Sequence, residues 1–190
     1  MTQEQYYTDH ERRAMLSFVR QTIGAELGIS PKPHVPDIAG KLHEQRSCFV
    51  TLHTADGNLR GCIGSIAPFE SLGENLRRHA INAAFHDPRF APLDADEYPE
   101  IAIEVSVLSE PKEIRSTTDF VPGKHGIIFV CGNFRSVFLP QVPVEQKWDR
   151  ETTLGYLAEK AGMEREDWQR PDAQFAVFTA EVFSEGEVSE

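Results

Sequence analysis

A cation, a thiol and two glycines fall within the six residues Leu59–Gly64 (LRGCIG). The thiolate form of cysteine is a nucleophile, and a neighbouring cation such as Arg60 favours its ionisation. Glycines allow other groups to approach the main chain closely, so the amides of Gly61 and Gly64 would serve as donors. Cys62 is therefore a candidate nucleophile, with Arg60, Gly61 and Gly64 as candidate substrate-binding residues. The competing interpretation is a bulged strand whose cysteine is a small buried hydrophobic residue.

Nucleophilic catalysis needs a base, and no histidine or carboxylate adjoins Cys62 in the sequence. His86 follows a predicted helix, and His125 lies in the segment GKHG at 123–126. We assign Cys62, His86 and Asp87 as the candidate catalytic set and place His125 with the substrate-binding residues. The fold must bring these segments together for either assignment to hold.

Arg89 supplies a second guanidinium near the predicted helix end. Together with Arg60 it would form a fork for a carboxylate or phosphate, because guanidinium groups bind such anions bidentately. An equally simple interpretation is that Arg89 and Asp87 tie the loop after the helix together. Glu104 beside Asp87 is a further candidate, as a carboxylate pair for acid/base work, although a solvated residue on the outer sheet face also fits.

The sequence predicts no metal site and no cofactor. None of the seven histidines has HxH, HxxxH or HExxH spacing. His79 and His86 share a helical face but are about 10 Å apart along the axis, too far to chelate one ion through bonds of about 2 Å. His79 lies on an apolar face and is expected to be a core histidine. The segment GCIG lacks both GxGxxG spacing and the Lys-Ser/Thr of a P-loop.

Composition narrows the class of protein. The 190 residues carry 30 acidic and 19 basic side chains, a formal charge of -11, which argues against a general nucleic-acid or anionic-membrane surface. The sequence contains no signal-peptide or membrane-spanning apolar run, so a cytoplasmic protein is expected. Three widely spaced cysteines predict reduced thiols rather than a disulfide framework.

Hydrophobic periodicity predicts the elements that carry the candidate residues. A capping box at 8–11 begins a first helix, Asp56-Gly57 joins two arms of a hairpin, and Asp87-Pro88 stops a second helix that follows Ser71. Alternation at 101–107 predicts a strand from which Glu104 points away from the apolar face. Further predicted elements are a hairpin with arms 126–131 and 134–139, a helix over 149–161 and a last strand over 175–183. This order favours an α+β fold with a largely antiparallel sheet and flanking helices.

Seven motifs in this order resemble the AMMECR-one domain family, whose prokaryotic members are also called AmmeMemoRadiSam system protein A. They are LRGCIG (59–64), AxxAAFHDPRFAPL (80–93), IEVSVLSEP (103–111), GKHGIIF (123–129), FLPQV (138–142), the Trp148-Asp149 helix start and EKAGM (159–163). Met163 departs mildly from the leucine that is usual in the family. The resemblance covers residues 8–185, which we take as one domain between a tail at 1–7 and an acidic tail at 186–190.

The resemblance implies an α+β domain, often described as two lobes around a cleft, with LRGCIG as its functional motif. It supplies no reaction. Genes of the family often lie beside, or are fused to, a Memo-like protein and a radical SAM enzyme, which implies those two proteins as partners in a modification pathway. Two hypotheses follow: an enzyme component whose cleft around LRGCIG binds a small anionic group, and a non-catalytic adaptor that presents a partner protein to those enzymes.

Alkylation separates a reactive Cys62 from a buried one. Cys48 and Cys131 lie in apolar strand patterns, where burial hides the sulfur, so they are internal controls. Brief iodoacetamide treatment of the native protein is expected to label Cys62 first, as measured by mass spectrometry of peptides. Labelling of all three thiols only after denaturation would show that Cys62 is packed.

Overall fold

A computed structural model describes residues 6–187, which form two compact units. Residues 6–108 and 181–187 make up the first unit, and Ser109–Ala180 make up the second. Part of each predicted tail, 1–5 and 188–190, lies outside the described residues. Tyr7 was assigned to the N-terminal tail from the sequence, yet it is buried and its N–H donates to Glu181.

The first unit packs two helices against a four-stranded antiparallel sheet. Its elements are α1 (Asp9–Glu26), β1 (Cys48–His53), β2 (Leu59–Gly64), α2 (Leu72–Phe85), β3 (Ala102–Leu108) and β8 (Ala180–Ser184). Thr8 caps α1 through the predicted capping box, and Ser71 caps α2. The strand order is β2-β1-β3-β8, which leaves β2 at one edge.

The two faces of this sheet differ in chemistry. The inner face carries Cys48, Val50 and Leu52 of β1, which join the apolar core under α1 and α2. Alternation puts Thr51 and His53 on the opposite, outer face. Glu104 is half-buried on β3 and pairs in register with Thr51, so it points away from the apolar face as predicted.

The second unit packs a helix against its own antiparallel sheet. Its elements are β4 (Lys112–Ile114), β5 (Gly126–Cys131), β6 (Phe134–Phe138), α3 (Gln141–Glu145), α4 (Arg150–Lys160) and β7 (Gln174–Phe178). The strand order is β4-β7-β5-β6, and Phe120, Phe129 and Leu154 lie in the core. Asp149 caps α4 through Thr152, at the predicted helix start. Short 3₁₀ turns along the whole chain occur at Lys41–His43, Thr117–Asp119 and Asp167–Gln169.

The prediction of one last strand over 175–183 was wrong. The segment forms two strands in different sheets, β7 in the second unit and β8 in the first, with Thr179 between them. The N–H of Thr179 donates to the Ser109 hydroxyl and its carbonyl accepts the Ser109 N–H. These bonds satisfy the backbone at the break, so an apolar run without a turn residue can change sheets there.

A β-bulge interrupts the motif strand, as the glycines predicted. Leu52 pairs with Gly61 and His53 pairs with Leu59, which leaves Arg60 as the extra residue. A bulge breaks the inward and outward alternation of a strand and redirects a side chain. Arg60 is accordingly buried, although it lies two residues from Cys62 on the same strand.

Gly61 brings the bulged strand close to α2. A Cβ at this position would overlap the carbonyl oxygen of Ala83. Gly64 is similarly confined, because a Cβ there would overlap the ring of Phe49. These two glycines therefore pack against neighbours, whereas the sequence indicated main chain exposed for contact.

Replacing Gly61 with alanine should lower the free energy of unfolding by about 1–3 kcal/mol. The new methyl group would overlap the main-chain carbonyl of Ala83, which cannot move aside as a flexible side chain can. Gly186→Ala is the matched control, since no atom of residues 6–187 lies within 4 Å of the place that its Cβ would take, and it should change stability by less than about 0.5 kcal/mol. Urea unfolding followed by circular dichroism measures both. Equal stability of Gly61→Ala and the unaltered chain would contradict the close approach of β2 and α2.

Candidate functional site

The loop after α2 binds the main chain of Cys62 on both sides. The N–H of Cys62 donates to Asp87 Oδ2 at 2.9 Å, and Arg89 Nη2 donates to the carbonyl of Cys62 at 3.1 Å. Cys62 lies on an edge strand, whose outward N–H and C=O groups have no neighbouring strand to pair with among residues 6–187. Asp87 and Arg89 therefore take the place of a paired strand; we call them the edge clamp.

Asp87 is held rigidly within this clamp. It is 3% exposed, and its carboxylate also accepts from the Arg89 N–H, Nε and Nη2 at 3.1, 2.9 and 2.7 Å. These bonds to Arg89, followed by the bond from Cys62, hold the pKa of Asp87 well below its usual range. Asp87 is thus a buried anion fully occupied by donors, and its predicted role as a proton-transferring group is not supported by this geometry.

Arg89 retains an exposed surface despite these bonds. Its side chain is 53% exposed, while its partner carboxylate is buried. Asp87 raises the pKa of Arg89, and Arg89 Nη2 binds the main-chain carbonyl of Cys62. Arg89 is therefore a fixed cation beside Cys62, partly open to solvent.

Arg60 faces a different partner. Its Nε and Nη2 bind the two carboxylate oxygens of Glu97 at 2.8 Å each, and Nη2 also donates to the carbonyl of Ala91. Nη1 is buried and has no hydrogen-bond partner among residues 6–187. The guanidinium groups of Arg60 and Arg89 both contact the ring of Phe90, at 5.9 and 5.5 Å from its centroid. Each arginine already has an internal carboxylate, so the predicted two-arginine fork does not form.

The two predicted histidines each bond within their own unit. His86 is exposed and caps the end of α2, where its N–H donates to Asn82. His125 belongs to the second unit, and its Nδ1 accepts the N–H of Val121 at 3.2 Å. Burial, followed by the charge of Lys124, lowers the pKa of His125. Its assignment as a substrate-binding residue stays a prediction.

His79 is a core histidine, as expected from its apolar helical face. It is 2% exposed, and its Nε2 lies 3.2 Å from the hydroxyl oxygen of Ser65. Its Nδ1 has no hydrogen-bond partner within the part of the chain that the structure describes. Burial, followed by the charge of Arg78, lowers the pKa of His79 to about 4, so the imidazole is neutral at pH 7.

The thiol of Cys62 lies on the outer face of the sheet. It is half-buried, whereas burial raises the pKa of both Cys48 and Cys131. The outward main-chain groups of Cys62 make its pairing with Thr51 a non-hydrogen-bonded one, in which side chains come closest. The Thr51 hydroxyl accordingly donates to Cys62 Sγ at 3.4 Å.

Two further polar groups share this face. Glu104 pairs with Thr51 from the other side, and its Oε2 lies 4.0 Å from His53 Nε2. We call Thr51, His53, Cys62 and Glu104 the outer-face set. Glu104 is two strand spacings from Cys62, about 10 Å, and Asp87 lies beyond the opposite edge, so the predicted carboxylate pair of Glu104 and Asp87 does not form. Sequence reasoning missed His53. The Asp56-Gly57 hairpin pairs its strand with the strand of Cys62, and its two-residue spacing from Thr51 puts it on the same face of that strand.

A surface depression of about 250 Å³ lies on the outside of α2. None of the predicted site residues lines it. No group of three or more potential metal ligands is found among residues 6–187, and no helix within those residues is long and apolar enough to cross a membrane. The residues that line the depression are Glu70, Glu74, Arg77, Arg78, Ile81 and Asn82.

Most of the chain is similar to archaeal proteins. The AMMECR1 family model matches residues 16–183. A protein of Methanopyrus kandleri is 44% identical over 155 residues, 77% of this chain and 75% of that protein. A protein of Methanosarcina barkeri is 36% identical over 189 residues, covering 95% of this chain and 93% of that protein. The crystal structure of an uncharacterized protein from Pyrococcus horikoshii superposes with a TM-score of 0.76 at 34% identity, covering 91% and 90% of the two chains.

Neutralising Asp87 tests the edge clamp. Asp87→Asn should lower the free energy of unfolding at pH 7 by about 2 kcal/mol, because it removes the acceptor for Arg89 and a main-chain amide. Asp172→Asn is the control, since its ion pair with Arg170 has the same two-residue spacing but is exposed, and it should cost less than about 0.5 kcal/mol.

The pH dependence has a defined sign. The folded pKa of Asp87 lies below its unfolded value, so its stabilisation is present above about pH 4 and is lost as the pH falls further. The difference in unfolding free energy between the unaltered chain and Asp87→Asn should shrink below that pH. A difference that stays constant down to about pH 2 in denaturant titrations would contradict the role of the charged carboxylate.

Proposed function

Because the chain belongs to the AMMECR1 family, we propose that it is an enzyme component of a modification pathway that acts with a Memo-like protein and a radical SAM enzyme. The surface around Cys62 and Arg89 binds a small anionic group of the substrate, and the Cys62 thiol takes part in the reaction. The observation that carries the proposal is the fixed, half-exposed guanidinium of Arg89 beside the half-buried thiol.

The edge clamp explains why Arg89 suits this task. A guanidinium held by a buried carboxylate loses little further side-chain entropy when an anion binds to its exposed side. Arg60 is buried against Glu97 and does not contact the anion directly. Its guanidinium packs on the ring of Phe90, which Arg89 also contacts. Gly61 and Gly64 have no side chain, so the strand can pack closely against α2 and Phe49. This packing supports the position of the thiol.

Protection of Cys62 from alkylation tests the anion site. Inorganic phosphate, added at constant ionic strength against chloride, should slow labelling of Cys62 by iodoacetamide because it occupies the space beside the thiol. Arg89→Ala should abolish this protection, whereas Arg78→Ala should retain it, since Arg78 is similarly exposed but pairs with Glu70 at the depression on α2, which none of the predicted site residues lines. Equal protection in the chain with and without Arg89 would contradict the anion site.

Reconstitution separates an enzyme component from an adaptor. The unaltered chain, Cys62→Ser and Arg89→Ala would each be combined with a purified Memo-like protein and a radical SAM enzyme from one organism. If Cys62 takes part in the reaction, its replacement should abolish the product detected by mass spectrometry. Full product formation by Cys62→Ser would leave the adaptor function as the correct one.

A further inference from the structure

The Cys62 thiol shares its sheet face with a histidine that contacts a carboxylate. Cys62, Thr51 and Glu104 are directly opposite one another across β2, β1 and β3. His53 follows Thr51 by two residues on β1, so it is a diagonal neighbour of both Cys62 and Glu104. Diagonal neighbours are about 7–8 Å apart, within reach of long and aromatic side chains.

The contact between His53 and Glu104 shows that the side chains of two diagonal neighbours reach each other on this face. Their side chains, about one-third exposed each, meet at 4.0 Å between Nε2 and Oε2. Because Nε2 is the ring nitrogen nearest the carboxylate, Nδ1 is the one left to accept a proton. The strand β1 is regular here, because the extra residue of the bulge lies on β2.

We propose that His53 is the base for the Cys62 thiol and that Glu104 is a positioning residue that stabilises the protonated imidazole. The inference rests on the proposed function, since it names the proton acceptor and the reaction class of the same thiol. The acceptors predicted from sequence, His86 and His125, are replaced in this role by a residue on the adjacent strand.

The charged groups around the thiol serve separate purposes. The clamp fixes Arg89 at the β2 edge, where it binds the carbonyl of Cys62, and its partner Asp87 is buried and already bound by donors. On the opposite side, the Thr51 hydroxyl donates to the sulfur. A thiolate at Cys62 would thus receive a cation from one side and a hydroxyl donor from the other, while the proton moves to His53.

The chemistry that suits this set is acyl transfer from a thioester that carries an anionic group. The thiol sulfur attacks the carbonyl carbon, a new carbon–sulfur bond forms at Cys62, and the bond to the original thiol breaks. His53 takes the proton from Cys62 and returns it to the departing thiolate, so the product is an acylated Cys62 and a free thiol. Exchange of one thioester for another needs no oxidant, reductant or other co-reactant.

The pH profile of Cys62 alkylation tests the role of His53. In the full chain, His53→Asn should lower the alkylation rate constant at pH 7 roughly tenfold, because the group that accepts the thiol proton is lost. Glu104→Gln should lower it about threefold, since the carboxylate of Glu104 contacts Nε2 and orients the imidazole. Ser106→Ala is the control, because Ser106 is half-buried on the same face of β3 and is not titratable.

Transfer of an acyl group tests the reaction class. The probe is the succinyl thioester of N-acetylcysteamine, and intact-mass and peptide mass spectrometry should show one succinyl group on Cys62 that His53→Asn forms more slowly. An unchanged alkylation profile in His53→Asn, with unchanged thermal unfolding, would overturn the base assignment. Loss of phosphate protection in Arg89→Ala with a retained effect of His53→Asn would support both proposals, whereas phosphate protection without any effect of His53→Asn would overturn only this inference.

Discussion

The edge clamp is the interaction on which the geometry of the motif depends. An edge strand exposes unpaired main-chain groups, and at Cys62 both groups are bound by side chains two residues apart in the next loop. Pro88 between them prevents α2 from continuing, because the residue before a proline is excluded from the helical region. The end of the helix, the edge of the sheet and the direction of the thiol are therefore determined together.

This dependence also explains the composition of LRGCIG. Gly61 is required because α2 packs against the inner face of β2 at this position. The edge clamp occupies the free edge of the same strand. The bulge between Leu52 and His53 leaves Arg60 as the extra residue, and its guanidinium binds the two oxygens of Glu97. Thus Arg60, the cation nearest Cys62 in the sequence, has a packing partner of its own, and Arg89 from another segment binds the main chain of Cys62 instead.

Local patterns predicted most elements of the fold. The caps at Thr8, Ser71 and Asp149 and the alternation around Glu104 are interactions between residues close in sequence, and they were confirmed. The change of sheet at Thr179 depends on Ser109, seventy residues away, so no local pattern contains it. The same applies to the site: the contact of Asp87 with Arg89 was foreseen as an alternative, while their binding to Cys62 requires the packing of α2 on the sheet.

The outer face of the sheet shows how a cysteine can be fixed through its main chain while its side chain remains only half-buried. The hydrogen bonds of the clamp are made to main-chain atoms of Cys62, and the side chain lies half-buried on the outer face rather than in the apolar core. Cys48, on the inner face of the adjacent strand, is completely buried, and burial raises its pKa. Two cysteines on neighbouring strands thus differ in chemistry because the pleat directs them to opposite faces. The face that a cysteine occupies decides here whether its side chain is buried in the core, as at Cys48, or half-buried on the outer face, as at Cys62.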